Sequence, residues 1–104
     1  MDKIDEAFNK KISESLQRVL GNNGTKVLYR NIQVSSGMTN GDVSTDPNAL
    51  ADALEELLGP TGAELIKKLI MSELINEFKL PRVSKESTFA EILEEMHRKG
   101  FTEE

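Results

Sequence analysis

Residues 46–78 constrain the fold more than any other stretch, because they spell two amphipathic helices joined by almost no loop. Asp46 is suited to cap a helix start, and Pro47 to stand first inside it, where its missing N–H is not needed. Leu50, Ala53, Leu54, Leu57 and Leu58 then follow at the spacing of one helical face. Gly59 and Pro60 predict a stop, and Thr61 with Glu64 has the spacing of a capping box that reopens a helix at once. A connection this short predicts a sharp helix-helix hinge at Gly59-Gly62. The helix expected over about residues 62–78 carries Leu65, Ile66, Leu69, Ile70, Met71, Leu74, Ile75 and Phe78. These cover more than one stripe, so that helix is expected to be central, with any surplus apolar face forming an interface.

The remaining segments read as helices of simpler kind. Ile4, Phe8, Ile12, Leu16, Val19 and Leu20 form one stripe, predicting a helix over about 3–20 that ends at Gly21. Asn22-Asn23-Gly24 reads as a turn. A second helix is expected over about 25–34, although Ile32 and Val34 alternate as a strand would. Residues 35–45 have loop composition, with Val43 as the anchor to the core. After Leu80-Pro81, a last helix is expected from Ser87 or Thr88, burying Phe89, Ile92, Leu93 and Met96 and closing with Gly100-Phe101. On its outer face Glu94–Arg98 and Glu95–Lys99 have i, i+4 spacing. The expectation is a single all-α domain over 1–104, a compact bundle of about five helices, with no strand and no internal repeat.

Composition excludes several kinds of chemistry. The chain has no cysteine, so thiol nucleophiles, disulfides and zinc–thiolate sites are ruled out. A formal net charge of −5 disfavours a general nucleic-acid binder, which needs a basic footprint. No apolar run reaches the roughly 20 residues of a membrane-spanning helix. The acidic first residues do not read as a secretory signal, which makes a cytoplasmic location the expectation.

The candidate reacting groups are few. His97, the one histidine, forms Glu-x-x-His with Glu94, half of the ligand set of a two-metal carboxylate bundle. No second pair accompanies it, and a surface position near a helix C-terminus is the simpler reading. Ser35-Ser36-Gly37 has no base beside it and reads as turn chemistry. Asp42 and Asp46, with Gly41 and Ser44, do not match the ligand spacing of a calcium loop. Gly59-Pro60-Thr61-Gly62 lacks the lysine of a phosphate loop, and Pro60 removes a donor. An acyl carrier is excluded because no serine in an Asp-Ser-Leu-like context opens the helix after the loop. The sequence therefore predicts no enzyme and no cofactor.

The order Phe8…Leu16…Leu20-Gly21, then Asp46-Pro47…Leu50…Leu54…Leu57-Leu58-Gly59…Gly62-Ala63…Ile66…Ile70…Leu74…Phe78 resembles a family of small archaeal helical modules. This is the Nitrosopumilus output domain family, the fifth of the types so named, and the resemblance spans about residues 8–80. The hinge here is one residue longer than the family's apolar-Gly-x-Gly-Ala pattern. The resemblance implies a signal-output or protein-interaction module, alone or attached to sensor domains, with no catalytic residues to carry over. The expected partner is another protein or a second copy, a homodimer, with no membrane involved. Met71, Ile75, Met96 and Phe101 are the candidate interaction residues, since methionine adapts to varied partners. The alternative is a nucleic-acid-associated regulator using a helix-turn-helix-like pair, disfavoured by the apolar face its reading helix would present.

Overall fold

The computed structural model describes residues 3–37 and 42–99. Three α-helices carry the fold: α1 (Lys3–Ser36), α2 (Pro47–Phe78) and α3 (Phe89–Lys99), with a short 3-10 helix at Val43–Thr45 between the first two. No strand occurs among the described residues. The all-helical expectation holds, but the count of about five helices is corrected to three. Both expected interruptions fall within these spans, as kinks at a single non-helical residue.

Gly21 has φ 78 and ψ 172, and Gly59 has φ 79 and ψ 168. Side chains other than glycine's are strained in this conformation, so each glycine turns the axis without a loop. Helical geometry resumes at the next residue. Asn22-Asn23-Gly24, expected as a turn, is helical, and the Thr25 hydroxyl donates to the Gly21 carbonyl at 2.8 Å. The hinge expected across Gly59-Gly62 is likewise confined to Gly59, with Pro60 starting the second limb of α2. Pro60 fits there because the bend has already broken the ladder its absent N–H would have joined.

Helix α1 extends to Ser36, so Ile32 and Val34 are helical and Ser35 sits in the last turn, its hydroxyl donating to the Asn31 carbonyl at 2.9 Å. Gly37, at φ +78, ends the helix, its N–H bonding the Gln33 carbonyl. Asp46 stands at the N-cap of α2 but its side chain makes no capping bond, while Pro47 takes the first turn as expected. A true capping box opens α3: Thr88 N–H donates to Glu91 at 2.8 Å and Glu91 N–H donates to the Thr88 hydroxyl at 3.1 Å.

The core gathers all three helices. Phe8, Ile12 and Leu16 from α1, Leu50, Leu54, Ile70 and Leu74 from α2, and Phe89 and Ile92 from α3 are all buried. Val43 is fully buried, anchoring the connection as expected. Helix α2 packs against both α1 and α3, which makes it central. The first limb of α1 and the second limb of α2 run antiparallel, since Lys11 pairs with Glu77 and Ser15 bonds Glu73. The Cα radius of gyration is 12.7 Å, near the roughly 13 Å typical of 100 residues.

Candidate functional site

Several ionisable and polar side chains tie one helix to another or to its own next turn. Ser15, with no solvent exposure, donates to Glu73 at 2.6 Å, and Arg18 pairs with the same carboxylate. The Ser15 hydrogen bond, with help from Arg18 and Lys11, holds the Glu73 carboxyl below its ordinary range despite partial burial. Glu95 is buried and receives Arg98 through two bonds, at 2.8 and 2.6 Å. That fork lowers the Glu95 pKa. The i, i+4 pairs expected on α3 are therefore replaced. Arg98 takes the buried Glu95, and Lys99 instead reaches across to the carbonyls of Phe78 and Lys79 at 2.9 and 2.6 Å. It thereby caps the C-terminus of α2, where four carbonyls otherwise lack helical partners.

The candidate reacting groups of the sequence do not converge. His97 Nε2 lies 2.8 Å from Asp5 Oδ1, tying α3 to the start of α1 at the surface. No group of three or more His, Cys, Asp or Glu side chains placed to hold a metal ion occurs among the described residues. Asp42 accepts from the Asn9 amide at 2.9 Å and the Ser44 hydroxyl at 2.7 Å, fastening the 3-10 helix to α1. Gly41 lies outside the described residues. A surface depression of about 500 Å³ lies between the 80–87 turn and α3. Its most buried charge is Glu95, already satisfied by Arg98, and Glu91 is occupied in the cap of α3.

The candidate interaction residues fall in three places. Met71 and Met96 have no solvent exposure and belong to the core, Met71 beneath the central helix and Met96 beneath α3. Ile75 is half-buried against that core. Phe101 lies outside the described residues. What the second limb of α2 presents outwards is a different set: Leu65 is 62% exposed and Leu69 46%. Ser72 and Asn76 continue that stripe, which carries no charge along its length. Leu57 and Leu58, before the bend, are each 37% exposed. A depression of about 520 Å³ beside Pro60, Leu65 and Lys68 gives this face relief. At its margin Lys68 is paired with Glu64 and Glu86.

Periodicity marks this limb as apolar over more than one stripe and does not say which side stays outside. The missing piece was the direction of the bend at Gly59, which decides the side facing α1 and α3. Among the described residues no helix is long and apolar enough to cross a membrane. The chain matches no family model, no curated protein and no solved structure.

Proposed function

We propose that this chain is a non-enzymatic protein-interaction module that pairs with a second copy of itself through the outward stripe of α2. The observation that carries this reading is the exposure of Leu65 and Leu69 on the second limb of α2, where the other leucine, isoleucine, methionine and phenylalanine side chains are buried or half-buried. Contiguous exposed apolar side chains mark surfaces that gain by being covered. The absence of charge along Leu65, Leu69, Ser72 and Asn76 supports a second copy as the cover. Two chains of net charge −5 repel each other, so they are brought together most readily where no like charges must meet.

The resemblance to small archaeal output modules supports an output role, in which pairing reports the state of an attached or associated sensor. The same stripe disfavours the nucleic-acid alternative, because Leu65 and Leu69 offer no donors to base edges or phosphates. Sedimentation from micromolar to submillimolar concentration tests the reading. The expected result is a concentration-dependent dimer for the natural chain and a monomer of unchanged helical content for Leu65→Ser/Leu69→Ser. A natural chain that stays monomeric throughout defeats it.

A further inference from the structure

We propose that α1 and α2 are two copies of one bent-helix unit, and that their corners are interchangeable. Setting Gly21 over Gly59 places Leu20-Gly21-Asn22-Asn23-Gly24 on Leu58-Gly59-Pro60-Thr61-Gly62. The two bending glycines share one backbone conformation, φ 78 and ψ 172 against φ 79 and ψ 168. The second glycine of each corner meets the same neighbour. A Cβ on Gly24 would lie 3.0 Å from the Leu20 Cβ, and one on Gly62 would lie 3.2 Å from the Leu58 Cβ.

The correspondence continues along both limbs. Before the corner, Ile12 and Leu16 fall on Leu50 and Leu54, and all four have no solvent exposure. After it, Ile32 falls on Ile70, both buried. Any two amphipathic helices can share apolar spacing. Spacing does not explain why the small buried positions also coincide, Ser15 with Ala53 and Thr25 with Ala63. Nor does it explain two interruptions with the same geometry at the same distance from those positions.

The units differ at some inner positions, exposed Gln33 falling on buried Met71 and buried Leu28 on half-buried Ile66, and they differ on the outside. Val27 and Leu65 are equivalent and both stand out, 45% and 62% exposed, but Leu69 corresponds to Asn31. One scaffold is thus used twice, and the second copy has the more apolar outer stripe. The likeness of the two units does not depend on whether the outer leucines bind a second chain.

Transplanting the second corner into the first tests it. Asn22→Pro/Asn23→Thr in the full chain sets proline directly after the bend at Gly21, as Pro60 stands directly after Gly59. Equivalent corners predict a cooperative thermal transition with a midpoint within about 5 °C of the natural chain. A control, Lys26→Pro, lies beyond the corner and is expected to abolish that transition. Gly21→Ala and Gly59→Ala are expected to lower the midpoint by matching amounts, since each forces a side chain into the same strained conformation. Loss of folding in the transplant, equal tolerance of Lys26→Pro, or glycine effects differing more than about twofold would each overturn the inference.

Discussion

Helix α3 and the second limb of α2 are both rich in apolar side chains, yet they place them differently. In α3, Phe89, Ile92, Leu93 and Met96 all point inward and Glu91, Glu94, His97 and Arg98 remain outside. In α2, Ile70, Met71, Leu74 and Phe78 are buried while Leu65 and Leu69 stand in solvent. The short helix has a single apolar stripe, and α2 with α1 beside it covers that stripe. The long limb has neighbours in α1 and α3 and still shows an uncovered apolar side. Apolar content beyond what the surrounding helices can cover is therefore the informative quantity for this protein. The total is not.

The sharpest way to break that contrast is to truncate one leucine from each side of the same limb. Leu74→Ala removes a fully buried side chain and is expected to cost about 2–5 kcal/mol. Leu69→Ala, measured in dilute protein, is expected to stay within about 0.5 kcal/mol. Urea denaturation that gave the two equal costs would show that Leu69 is not on the surface. At α3 the corresponding question is whether its start is locally secured. Thr88→Ala removes the hydroxyl half of the capping box and is expected to cost about 1 kcal/mol. An unchanged denaturation midpoint would mean that packing of Phe89 alone sets the start of α3.

A smaller effect separates the two helices by pH. Glu73 and Glu95 both have folded-state pKa values below the ordinary carboxylate range. Their contribution to stability is fully present above the unfolded value, about 4.3. It is lost as pH falls through the depressed folded values. Glu73 is held by Ser15 and Arg18 from another helix, whereas Glu95 is held by Arg98 within its own. Acid titration of stability should therefore flatten more in Glu73→Gln than in Glu95→Gln. The reverse order would place the acid-sensitive joint in α3.

The helical class, the burial of Val43 and the start of α3 near Thr88 were legible because each rests on local pattern. The number of helices was not. A glycine with the sequence context of Gly21 or Gly59 signals departure from helical geometry, and that departure is real. What local pattern does not show is that one residue suffices, with the next already helical. The partners of Arg98 and Lys99 differ from those their spacing predicts for a related reason. Outward spacing suggested pairs along α3, but a buried carboxylate at Glu95 and open carbonyls at Phe78 and Lys79 make stronger demands on a cation. Met71 and Met96 were singled out for their chemistry, while their burial depends on how α2 bends and where α3 lies against it. The likeness of α1 and α2 is not legible in hydropathy, because its marks are small residues and a backbone angle.

The Asp5–His97 contact puts the two outermost helices of the described chain side by side at one pole of the molecule. A tie between the first turns of α1 and the last turns of α3 couples the fraying of one helix to that of the other. Loosening either one therefore frees a partner from the far part of the sequence.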